Sequence, residues 1–302
     1  MNDIKEFIDK YNLKVKKYSR TSNAIIIDTD RGSYAIKEKK RADKEEIFNY
    51  LKSKQFNYFL TLHNDIDDKY EMVPFVNDNV IEHAEKGPEL MYVMSLLHNK
   101  TAFYKRVALD ETKAFYEEKS TSLEDIKEYY DNMLWIMEEQ SILAPSNYFL
   151  QRNISLIYKS IDVALLNLEQ WYEVVKDKET KRVAMTHNRI DDSHLLIDDK
   201  PYLISWDNCC VDLPVYDFYN FFKLNYLKFD CFYLFTIYNS RFELSKEEVY
   251  FLFYLLATVE KIDFMDTEIN NTKQIHDYIR YLHYVSVFIS KYNSKYENEK
   301  PD

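Results

Sequence analysis

Apolar and polar positions near the amino end alternate as in a hairpin. An apolar run Ala24–Asp28 is followed by the turn residues Arg31-Gly32 and a second run Tyr34–Lys37. Over Asp43–Lys54 the period changes to that of a helix, with Ile47, Phe48 and Leu51 on one side. Tyr70–Val76 is extended again, and Glu89–His98 reads as a helix end. Thr121-x-x-Glu124 has the form of a capping box opening a helix through about Glu139, and Ser245-x-x-Glu248 opens another over Glu247–Lys261. Ile154, Ile157, Ile161, Leu165 and Leu168 recur at helical spacing, so Asn147–Lys176 is expected to be one long helix. Met91, Met94, Met133 and Met137 fall at similar spacing and are assigned to the core. A tyrosine-rich helix over about Thr272–Lys295 should precede a disordered tail at 297–302.

The stretch from Val183 to Lys223 is the most specific. It reads as an apolar strand, a polar loop opening on His187 and a short strand Leu195–Ile197. A turn at Asp198–Pro201 leads to a strand Tyr202–Trp206 that ends on Asp207. Asp212-Leu213-Pro214 follows, then Asp217 at the head of an aromatic helical run. This order resembles the aminoglycoside phosphotransferase and choline kinase family, which carries H-G-D-x-x-x-x-N, a strand ending in I-D-W or S-W-D, and D-P-x-x-D-L. The resemblance implies an α+β, protein-kinase-like fold of two lobes. A small antiparallel-sheet lobe would occupy residues 1–76, and a larger helical lobe residues 77–302, carrying the catalytic-loop counterpart at 183–217.

Carried over position by position, the resemblance makes His187 the loop histidine, Asp207 the metal-binding aspartate and Asp217 a structural aspartate. Y-A-I-K places Lys37 at the strand lysine that contacts nucleotide phosphates, with Glu45 or Glu46 as its ion-pair partner. Tyr70–Val76 becomes the hinge, where an adenine would meet backbone, and His98 a structural helix-end histidine. Two positions depart from the pattern. Arg189 stands where the base aspartate belongs, and His194 where the metal-binding asparagine belongs. A guanidinium accepts no proton. It would attract phosphate or pair with Asp191 or Asp192. Imidazole suits transition metals, whereas Mg²⁺ prefers hard oxygen ligands. The front loop expected at Lys17–Ala24 has no glycine to let backbone amides approach phosphates; Ser19, Thr21, Ser22 and Asn23 are its donors.

Three readings follow. The leading one is a degenerate kinase with weak or no phosphotransfer, in which ATP and Mg²⁺ bind weakly or not at all. The second is an active small-molecule kinase using Asp191 or Asp192 as base. The third is a scaffold with a protein partner. An H-x-R loop and a glycine-poor front resemble the spore-coat kinase-like proteins of Gram-positive bacteria. That resemblance adds spore association to an otherwise cytoplasmic assignment. Any acceptor pocket would be built from helices within 120–176 and 245–295, where no motif names the substrate.

Composition narrows the picture from outside. The 302 residues, 46% hydrophobic and 16% aromatic, can bury a large interior, which excludes a disordered chain. A net charge of −11 argues against general nucleic-acid binding. Cys209, Cys210 and Cys231 form neither a disulfide framework nor a C-x-x-C metal pair, and fit a reduced compartment. The longest apolar run, Tyr250–Val259, is far short of the ~20 residues a membrane span needs. The amino end reads as an acidic amphipathic helix, not a signal peptide. The run Asp65–Asp68 is expected to be a solvated turn. Only two glycines occur, Gly32 and Gly87, in a chain rich in Lys, Asn, Ile and Tyr, a bias expected of an AT-rich genome.

Overall fold

In chain order, α1 (Asn2–Lys10), β1 (Val15–Arg20), β2 (Ile25–Thr29), β3 (Gly32–Glu38), α2 (Lys44–Ser53), β4 (Tyr70–Pro74) and α3 (His83–Thr101) come first. Next are β5 (Phe103–Arg106), α4 (Leu109–Glu138), α5 (Pro145–Val175), β6 (Thr180–Thr186), β7 (Leu195–Ile197), β8 (Pro201–Leu203) and β9 (Cys210–Asp212). α6 (Val215–Asn225), α7 (Cys231–Asn239), α8 (Lys246–Ala257) and α9 (Glu268–Tyr296) close the chain. The computed structural model describes residues 2–21, 24–63, 67, 69–78, 83–264 and 267–296, with backbone alone at 2, 3, 83 and 84. Ser22 and Asn23, most of the Asp65–Asp68 run and the tail 297–302 lie outside the described residues. The chain forms two compact units, Met1–Ala102 with Ala184–Val211, and Phe103–Val183 with Asp212–Asp302.

In the first unit β1, β2, β3 and β4 make an antiparallel sheet in that order. The expected hairpin is β2–β3, whose turn leaves Gly32 at φ 122°, a backbone state that side chains avoid. Phe7 of α1 is buried and packs with Tyr11 and Leu13 against Ile27, Tyr34, Ile36 and Met72 of the sheet. β1 extends to Arg20, so Lys17–Arg20 of the expected front loop is strand, and Thr21 Oγ1 donates to the Ala24 carbonyl at 3.0 Å. α2 buries Ile47, Phe48 and Leu51 as their spacing requires. Its end is closed by paired bonds, Gln55 N to the Lys52 carbonyl and Phe56 N to the Leu51 carbonyl, both 2.9 Å. That is a Schellman closure, and it leaves Gln55 left-handed at φ 58°. Phe48, Phe56 and Phe59 surround the buried Trp206, whose indole Nε1 donates to the Leu203 carbonyl at 2.8 Å.

The second unit is helical apart from β5, which pairs antiparallel with the start of β6. α4, α5 and α9 share one core: Ile126 and Tyr130 meet Leu150, Ile157 and Ile161, with Ile275, Ile279 and Leu282 beside them. One expectation fails here. The helix placed at Thr121 begins twelve residues earlier, at Leu109, and Thr121 lies in its interior. Nothing between Ala108 and Thr121 breaks a helix, so propagation through good formers overrides a local capping pattern. The second box is present: Ser245 and Glu248 cap α8 reciprocally, with Ser245 N donating to Glu248 Oε2 at 2.8 Å. Among the described residues no helix is long and apolar enough to cross a membrane.

Candidate functional site

The residues singled out from the sequence, Asp217 apart, lie within the first unit. β6 delivers the loop that starts at His187. The left-handed Asn188, at φ 60°, turns the chain, and its Nδ2 donates to the Asn208 carbonyl at 3.3 Å. His187 is fully buried; its Nε2–H donates to the Ile204 carbonyl at 2.8 Å and its ring lies edge-on to Trp206. Ile204 N in turn donates to the His194 carbonyl at 2.9 Å. One residue after β8 thus holds both ends of the loop.

Inside that clamp, Arg189 is exposed, and among the described residues its guanidinium makes no hydrogen bond or ion pair. The pairing with Asp191 or Asp192 considered above does not form. Asp191 instead accepts from Ser193 N at 3.3 Å, opening a one-turn 3-10 helix at Asp192–His194, and Asp192 is buried. His194 Nδ1–H donates to the Arg189 carbonyl at 2.6 Å, which leaves Nε2 as the lone-pair atom. Burial holds His194 below the usual imidazole range despite that bond.

The dominant charge cluster is one that sequence reasoning missed. Lys44, the first residue of α2, is buried and donates to Glu71 Oε1 and Oε2 at 2.8 and 2.7 Å and to Asp207 Oδ1 at 2.7 Å. Glu71 lies on β4, in register with Lys37 of β3. Glu45 and Glu46 are exposed, and neither makes an ion pair with Lys37 among the described residues. An ion pair does join helix and sheet, with α2 supplying the cation and β4 the anion. A signal was there to find. Lys44 falls on the same stripe as Ile47, Phe48 and Leu51, whereas Glu45 and Glu46 fall off it.

These neighbours set the protonation states. Burial penalises the Lys44 ammonium, but its bonds to Asp207 and Glu71 more than offset that and hold it above the usual lysine range. Burial likewise pushes Asp207 up, yet Lys44, with Lys40 and Lys37 behind it, holds the carboxyl below the usual range. Half-buried Lys37 is shifted down by burial, and among the described residues it makes no hydrogen bond or ion pair. Such a set does not fit a magnesium site. Asp207 is already neutralised by an ammonium, the second position carries an imidazole, and among the described residues no three His, Cys, Asp or Glu side chains are grouped to hold a metal.

Further contacts fix the surroundings. After β4, Phe75 N donates to the Ser33 carbonyl at 2.9 Å. Asp78 then accepts from Ile197 N at 3.0 Å and from the buried Lys86 at 2.5 Å. Arg41 donates to the Cys209 carbonyl and pairs with Asp43, tying the stretch before α2 to that after Asp207. In the second unit, Asp217 is fully buried in the first turn of α6.

The arrangement has parallels among solved structures. An aminoglycoside phosphotransferase from Alicyclobacillus acidocaldarius superposes with a TM-score of 0.66 at 12% identity, covering 96% of this chain and 95% of its own. The fold is that of the aminoglycoside phosphotransferases. An AMP-bound spectinomycin phosphotransferase gives a TM-score of 0.55 at 14% identity, over 93% of this chain and 97% of its own. No family model matches the sequence, and no curated protein does.

Proposed function

We propose that this protein is a degenerate member of the phosphotransferase-fold proteins, binding a nucleotide in its first unit and transferring phosphate weakly or not at all. Residues 1–76 and 77–302 serve in this reading as the two lobes. The observation that carries it is the loop from His187 to His194. The loop is held at both ends by bonds to Ile204, and exposed Arg189 stands where the sequence resemblance implies a catalytic carboxylate. A guanidinium cannot take the proton of an attacking hydroxyl. General-base help is worth ~10²–10⁴-fold, so its loss alone leaves a slow reaction. Nucleotide is the proposed ligand because Lys37 and its neighbours present positive charge beside Asp207, which lies on the one-turn 3-10 helix Trp206–Asn208, and because a structure of the same fold holds AMP. The proposed acceptor is a small molecule.

Turnover of ATP is the test, against a panel of amino sugars and choline analogues. Wild-type protein should stay well below the ordinary kinase range of ~1–100 s⁻¹. Arg189→Asp combined with His194→Asn should raise the rate. Ordinary rates that survive Arg189→Ala but vanish in Asp191→Ala or Asp192→Ala would place the base farther along the loop and refute the degenerate reading.

A further inference from the structure

Lys44 has three N–H donors, and two are directed at Glu71 and one at Asp207. Its ammonium therefore occupies the coordination space of Asp207 Oδ1 that a metal ion would need. Lys37 and Lys40 also lie close enough to act on Asp207. Three ammonium groups thus face two carboxylates, an excess of positive charge. Half-buried Lys37, in register with Glu71, and exposed Lys40 make no hydrogen bond or ion pair among the described residues. An anion at Lys37 would supply the missing partner, whereas a divalent cation at Asp207 would have to displace Lys44 and sit among like charges.

We propose that Lys44 replaces the divalent cation at Asp207, so that the phosphates of a nucleotide bind at Lys37 and Lys40 without metal. This inference rests on the nucleotide-binding reading above and adds the ionic form of the ligand: free ADP or ATP, not its magnesium complex. Metal-free capture also fits weak transfer, because no metal ion then bridges the phosphate oxygens as charge develops on the transferring group.

Calorimetric titration of ADP into the full-length protein, once in EDTA and once in excess Mg²⁺, tests it. Binding in excess Mg²⁺ should be no tighter than in EDTA, and weaker to the extent that magnesium sequesters free ADP. Lys37→Met should weaken binding in EDTA by about 10–100-fold, the worth of a charge-assisted hydrogen bond. Lys44→Met should make binding magnesium-dependent, since it frees Asp207 and Glu71 for a metal. Should the two stranded carboxylates prevent folding, Lys44→Met with Glu71→Gln leaves Asp207 free with one fewer buried charge. Wild-type binding that requires Mg²⁺ overturns the replacement while leaving the nucleotide reading intact. Metal-independent binding that Lys37→Met does not weaken overturns the assignment of the phosphate position. Absence of binding in either buffer overturns both readings.

Discussion

At neutral pH Cys209 and Cys231 carry their protons, because burial pushes the first thiol up to about 11 and the second to about 12. Only the thiolate attacks an alkylating agent, so at pH 8 roughly one Cys209 side chain in a thousand is competent. Iodoacetamide at that pH should leave both residues unmodified in the folded protein and label them fully after denaturation. Peptide mass spectrometry reads the difference, and the native rate at Cys209 should climb as pH approaches 11. Rapid labelling of either residue at pH 8 would show that these thiols are not buried. The same burial separates two kinds of charged residue around the site. Lys44 persists inside because carboxylates meet all three of its protons, whereas Arg189 lies exposed to solvent.

At the scale of elements, Glu248 links three features of the second unit. One carboxylate oxygen accepts from Ser245 N and closes the capping box of α8, and the group as a whole receives Arg182 from β6 in a largely buried ion pair. The guanidinium also stacks over Phe242 at 4.3 Å and donates to the Glu243 carbonyl. Glu248→Ala should therefore cost about 3 kcal/mol, mostly from leaving Arg182 without its partner. Urea unfolding measures this, and a midpoint unchanged from wild type would contradict it. The cap was legible from the Ser-x-x-Glu spacing; the ion pair, 66 residues apart in sequence, was not. That contrast holds across the molecule. The hairpin and the helix stripes are local patterns, and they are recovered in β2–β3, α2 and α5; the strand expected over Tyr202–Trp206 instead ends at Leu203, because Ser205 turns left-handed into a one-turn 3-10 helix that carries Asp207. β5, β9 and α7 have no distinctive period of their own: the two strands are three or four residues long, and α7 is apolar almost throughout. The Lys44 cluster depends on β4 and α2 meeting the stretch after β8, and only folding brings those three segments together.

At the scale of the whole molecule, the acidic balance and the lysine cluster act at different ranges. A net charge of −11 repels polyanions at a distance, yet within about one Debye length, ~8 Å at physiological salt, local lysines can dominate. A small free anion can use such a patch where a nucleic acid cannot.

Glycine is nearly absent, and the backbone still needs the conformations glycine serves. Asn12, Gln55, Asn188 and Ser205 are all left-handed, at φ between 51° and 67°. These four positions take left-handed backbone with a side chain attached, at a steric cost that glycine would not incur. Gln55 is the clearest case, since it occupies the closing position of α2 where glycine is the usual residue and its backbone bonds need no side chain. Gln55→Gly should raise stability by about 0.5–1 kcal/mol, the balance of relieved left-handed strain against added chain entropy. A lower urea midpoint would show that the glutamine side chain contributes something else. The end of α2 thus holds a stabilisation in reserve, reachable by one residue that the left-handed backbone there already favours.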